Sequence, residues 1–198
     1  MADPNAALAA LIGSRICHDL ISPIGAINNG LELLNMSGGA SGPELDLIGE
    51  SVGNASARIR YFRIAFGAAG DQMMGPPEIT SILRDMFHHG RVEVAWNLTD
   101  PQPRSAVRLS FLSMMCLETA MPYGGQINVH EDKGKWRLTG QADKLNVDAR
   151  LWEALAKPKN MPNLQPAQVQ FALLPLVALD DGRRVTTQAG ETQIEISF

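Results

Sequence analysis

Residues 15–34 read Arg15-Ile16-Cys17-His18-Asp19-Leu20-Ile21-Ser22-Pro23-Ile24-Gly25-Ala26-Ile27-Asn28-Asn29-Gly30-Leu31-Glu32-Leu33-Leu34. Ile16, Leu20, Ile24, Ile27, Leu31 and Leu34 recur at steps of four and three, which is one apolar stripe on a helix. Asp3 is placed to cap this helix, Pro4 suits its first turn, and Gly38-Gly39 ends it. Ser41-Gly42-Pro43-Glu44 then has the pattern of a capping box opening a second helix. The second stripe is Leu45, Ile48, Val52, Ala55, Ile59, Phe62 and Phe66. Two such helices joined by a short loop form an antiparallel hairpin over residues 1–70. A lone hairpin buries only one side of each helix, so a second copy is expected to complete a four-helix bundle as a homodimer.

His18 falls off the stripe and is expected on the outer face. A neutral imidazole offers a nucleophilic nitrogen near neutral pH. Asp19 beside it can bond one ring nitrogen and fix the tautomer, which leaves the other nitrogen free. Ser22 lies one turn further along the same face. Pro23 has no N–H, so the Asp19 carbonyl loses its helical partner and a kink is expected there.

His18-Asp19-Leu20-x-Ser22-Pro23 resembles the H-box of sensor histidine kinases, usually His-Glu-Leu-Arg-Thr-Pro. Together with Ala26 to Leu34 (AINNGLELL) it resembles the ChpT family of alphaproteobacterial histidine phosphotransferases. That resemblance implies an α+β chain. A dimeric helical hairpin carries the phosphoacceptor His18, and a degenerate histidine-kinase-type (Bergerat) α/β sandwich follows. It implies phosphoryl shuttling between receiver domains of response regulators, with a hybrid-kinase receiver as donor and a response regulator as acceptor. Mg²⁺ would be supplied in the receiver. Docking is expected on Ser14, Arg15, Ile21, Ser22 and Gly25 around His18, with Arg15 steering an acidic receiver pocket.

The resemblance also asks whether residues 78–198 hold ATP. Where kinases place a Mg²⁺-holding Asn, often in Leu-Glu-Asn-Ala, this chain has Leu117-Glu118-Thr119-Ala120. The Asp-x-Gly-x-Gly segment has only Leu138-Thr139-Gly140-Gln141-Ala142 as its counterpart. The glycine turn that admits phosphates is replaced by Val169-Gln170-Phe171-Ala172-Leu173-Leu174. The expectation is therefore no ATP and no cofactor or metal bound by the chain itself. A divergent ATP-dependent kinase and a non-catalytic receiver-binding adaptor are the alternatives.

Gly70 to Pro77 has the composition of a connection, with 71–77 set as the linker between the two units. Beyond it the order reads as a helix at 79–87, a strand at 92–98 and a helix at 105–121. A hairpin follows around Lys133-Gly134, then helices at 148–156 and 167–179, and strands at 185–188 and 192–197. This gives one sheet with helices on a face.

Composition closes off other classes. The chain has 198 residues, 45% hydrophobic, and a net charge of -4, which speaks against a nucleic-acid surface. The apolar N-terminal run is interrupted by Arg15, His18 and Asp19 and lacks a basic start, so neither a signal peptide nor a membrane span is expected. The chain is read as cytoplasmic. Cys17 and Cys116 are expected as buried reduced thiols. His88-His89 is expected at a helix end rather than on a metal. Trp96, Trp136 and Trp152 are expected in or near the core, and Lys157-Pro158-Lys159 in a solvated loop.

Overall fold

A computed structural model describes residues 4–37, 43–68, 70, 72–88, 90–157 and 162–198. The Asp3 cap, the Gly38-Gly39 stop, the capping-box residues Ser41 and Gly42, His89 and Pro158-Lys159 lie outside the described residues.

Helix α1 runs Pro4–Ser37 and α2 Pro43–Ala65. Their antiparallel register is visible at two levels. Arg58 of α2 reaches Asp19 of α1, and Gly30 of α1 lies on Ile48 of α2. A Cβ at residue 30 would stand 2.6 Å from Ile48 Cγ1, so glycine is what allows the helices to approach. Pro23 sits buried inside the continuous α1.

The remaining elements are β1 (Met73–Met74), α3 (Pro76–Phe87), β2 (Val92–Trp96), β3 (Gln102–Pro103), α4 (Arg104–Ala120), β4 (Gly125–Asp132), β5 (Lys135–Gln141), α5 (Ala149–Ala156), a 3₁₀ turn at Pro166–Gln168, α6 (Val169–Asp180), β6 (Thr186–Ala189) and β7 (Gln193–Ser197). The five-stranded sheet has the order β2-β4-β5-β7-β6. β2 runs parallel to β4, with Val94 opposite Ile127, and the other pairings are antiparallel. Alternation along β5 is clean. Trp136 and Leu138 point inward, and exposed Lys135 and Arg137 point out.

Two features describe how the hairpin joins the rest of the chain. The segment expected as a linker is tied down, because Met73–Met74 pairs with Gln102–Pro103, Met74 is buried, and α3 already starts at Pro76. The hairpin is also not a separate body. Tyr61, Phe62, Ile64 and Ala65 at the end of α2 are buried in the same core as α3, α4 and the sheet. Tyr61 stacks on Phe111 at a centroid distance of 4.5 Å and its hydroxyl donates to the Phe111 carbonyl at 2.7 Å. The burial that satisfies the foot of α2 therefore also fixes where the hairpin stands on the C-terminal unit.

Candidate phosphoacceptor site

The middle of α1 places His18 outward, with 81% of its side chain exposed. Its neighbour Asp19 turns inward and keeps only 8%. His18 Nδ1 stands 3.1 Å from Asp19 Oδ1. The other carboxylate oxygen, Oδ2, accepts from Arg15 Nε at 2.9 Å and faces Arg58 Nη1 at 3.7 Å. A carboxylate oxygen accepts, so this contact favours the tautomer with the proton on Nδ1. In the neutral ring that tautomer leaves the lone pair on Nε2.

Around His18, Ser14, Ile21 and Ser22 are exposed and Gly25 is half-buried. Arg15, also expected at the docking surface, folds its guanidinium back to Asp19 and donates through Nη1 to the Ala167 carbonyl at 2.9 Å. A long side chain follows its partners rather than its helical position, and a contact across 152 residues leaves no trace in local spacing. Cys17 is a correction. It is exposed beside His18, whereas Cys116 is buried as expected.

Arg58 and Glu118 are site residues that helical periodicity did not single out for this place. Arg58 lines a cavity of about 230 Å³ with Asp19, Ser22 and Pro23, and a neighbouring one of about 490 Å³ with Arg15 and Glu118. Glu118 still reaches solvent at the mouth of that cleft. The surrounding protein desolvates its carboxyl and pushes its pKa upward, Arg15 and Arg58 oppose the shift, and Asp19 adds to it. Solvent access tempers the effect.

Polar side chains tie α4 to α6. Thr119 Oγ1 donates to the Met115 carbonyl at 2.9 Å and accepts from Gln170 Nε2 at 3.1 Å. Gln170, Phe171 and Leu174 are buried. Among the described residues no group of three or more His, Cys, Asp or Glu side chains gathers to hold a metal ion.

Comparison with known proteins decides the family. Residues 76–193 match the histidine phosphotransferase C-terminal domain. The chain is 33% identical to protein phosphotransferase ChpT of Brucella abortus (strain 2308), over 96% of this chain and 94% of that protein. The chain belongs to the ChpT-type histidine phosphotransferase family. A solved bacterial phosphotransferase carries the same fold, with a TM-score of 0.80 and 31% identity over 100% of this chain and 98% of that one. Membership makes the chain a phosphotransferase of the phosphorelay type. By length and mean hydropathy (1.2) alone, Asn5–Leu34 could cross a membrane, which the sequence reading did not expect. In this ChpT-type fold the same segment carries Arg15, His18 and Asp19 and packs on α2.

Proposed function

We propose that His18 is the phosphoacceptor and that it exchanges its phosphoryl group with receiver-domain aspartates, without ATP. The observation that carries this reading is the pairing of an exposed imidazole with a buried, doubly held carboxylate. Nδ1 is engaged by Asp19, and Nε2 is left to approach phosphorus.

In the forward step the Nε2 lone pair attacks the phosphorus of an aspartyl phosphate. The bond from phosphorus to the aspartate oxygen breaks, and its electron pair leaves with the carboxylate. The Nδ1 proton stays in place, so the ring becomes a phosphorylated imidazolium whose positive charge faces Asp19. The reverse step unloads the group onto a second receiver. Catalysis of this kind rests on positioning and charge, and Mg²⁺ would enter in the receiver.

Several observations support the other parts of the reading. Thr119 is tied to Gln170, and Phe171 and Leu174 are buried, in the two segments that stand in the sequence for the kinase Mg²⁺ and glycine motifs, which supports a chain that takes no ATP. Ile24, Leu31, Leu45, Val52 and Ile59 belong to the two apolar stripes yet are exposed in the single chain. Apolar exposure on that scale favours a partner surface, and a second copy completing the four-helix bundle satisfies it. Ser14, Ile21, Ser22 and Gly25 surround His18, which supports a receiver docking on this face in the cytoplasm.

The experiment supplies a radiolabelled phosphoreceiver and, separately, labelled Mg-ATP. Label from the receiver alone is expected. Label from ATP would overturn the assignment in favour of a kinase, and label from neither across several receivers would favour a docking adaptor.

A further inference from the structure

Asp19 is held from two helices, and the hold is anchored on a third element. Arg15 grips Oδ2 from one turn earlier on α1, Arg58 faces it from α2, and Arg15 is itself anchored to the Ala167 carbonyl in the 3₁₀ turn leading into α6. The Arg15 guanidinium is a planar fork. Its Nε serves the carboxylate while its Nη1 serves the carbonyl, so both bonds constrain one rigid group.

We propose that Arg15 and Arg58 are positioning residues for phosphoryl transfer. They lock Asp19 so that Oδ1 accepts from His18 Nδ1, and the C-terminal unit takes part through the Ala167 carbonyl that fixes Arg15. This deepens the phosphoacceptor reading of His18 and rests on it.

The physical case is one of rotamer control. A carboxylate on a helix can swing about its two side-chain torsions. With Oδ2 bound at 2.9 Å and faced by a second cation at 3.7 Å, Asp19 presents Oδ1 to the neighbouring ring in one orientation. Without that hold the imidazole samples both tautomers, and the fraction with a free outward Nε2 falls. Misplacement of the reacting group is then expressed as rate rather than as affinity. The arrangement also gives the kinase-like unit a task that needs no nucleotide. It supplies a backbone acceptor that holds the phosphotransfer helix in its working state.

The test uses the full chain as Arg15→Ala, Arg15→Lys and Arg58→Ala. The tautomer of His18 is read by long-range ¹H–¹⁵N correlation at a pH above the imidazole range. Transfer is followed from a receiver domain loaded with acetyl phosphate, and the receiver's Kd is measured in parallel. The expected result is a shift from Nδ1–H towards a tautomer mixture in both alanine variants. Transfer falls roughly tenfold or more with Kd unchanged. Arg15→Lys keeps the charge but cannot bridge to Ala167, so it recovers only part of the rate. Full recovery by lysine would overturn the tether. Weakened receiver binding with an unmoved tautomer would show that these arginines are docking residues. A wild type that accepts no label from any receiver would fail the phosphoacceptor reading itself, whereas a labelled wild type whose tautomer ignores all three substitutions would fail this inference alone.

Discussion

His18 and Asp19 are neighbours in sequence but opposites in environment. The ring is 81% exposed, the carboxylate 8%, and the two meet through Nδ1 and Oδ1 at 3.1 Å. The pair therefore combines an accessible nucleophile with a carboxylate largely shielded from solvent. Asp19→Asn removes that charge and presents an amide that can bond the ring in either orientation. Phosphoryl transfer from a receiver is expected to slow by roughly a hundredfold, in the range typical for removing a positioned acid–base partner. Rapid-quench transfer measures it, and an unchanged rate would leave Asp19 without a catalytic part.

The hairpin's geometry can be tested at Gly30. An interior helical glycine replaced by alanine ordinarily gains about 1 kcal/mol. Here the added Cβ would meet Ile48 Cγ1 at 2.6 Å and the Glu44 carbonyl at 3.4 Å, so the inner branch of Ile48 or the backbone must move. Gly30→Ala is expected to lower Tm, and the loss should shrink when combined with Ile48→Ala. A raised Tm in the single variant would show that α1 and α2 do not approach this closely.

The legibility of these features differs for physical reasons. The stripe from Ile16 to Leu34 predicts α1, and His18 falls off it by spacing alone, so the exposed histidine and its adjacent carboxylate were readable. Periodicity also located α3, and α4, α5 and α6 lie close to the stretches read as helices. Met73–Met74 and Gln102–Pro103 were not readable, because two residues are too few to show alternation and their pairing spans the whole of α3 and β2. The anchor of Arg15 was not readable, because Ala167 is remote in sequence. Arg58 sits among small and polar residues of α2 and meets Asp19 only once the antiparallel register is set. The expected homodimer and the expected absence of ATP concern molecules that a single chain does not contain, and they stand as parts of the proposal.

The two thiols offer a third prediction. Cys116 is fully buried in α4, and burial pushes its pKa well above the usual thiol range, so it stays protonated and unreactive. Cys17 is exposed immediately before His18. In the folded chain a thiol-specific disulfide reagent is expected to titrate one group rapidly, and two after unfolding. A bulky adduct on Cys17 should block transfer to His18 by obstructing the approaching receiver. Two rapidly reacting thiols in the folded chain would contradict the packing of α4, and full transfer by the Cys17 adduct would contradict docking at this face.

The central claim is that one nitrogen of one histidine carries the phosphoryl group. The chain has four histidines, at positions 18, 88, 89 and 130, so the claim can be decided by mapping. The wild-type protein, loaded from a phosphorylated receiver and kept alkaline to preserve the acid-labile bond, is digested and sequenced by mass spectrometry, with ³¹P NMR assigning the nitrogen. The account predicts phosphate on His18 at Nε2 and none in His18→Ala. Phosphate on His88, His89 or His130, or at Nδ1 of His18, would contradict it.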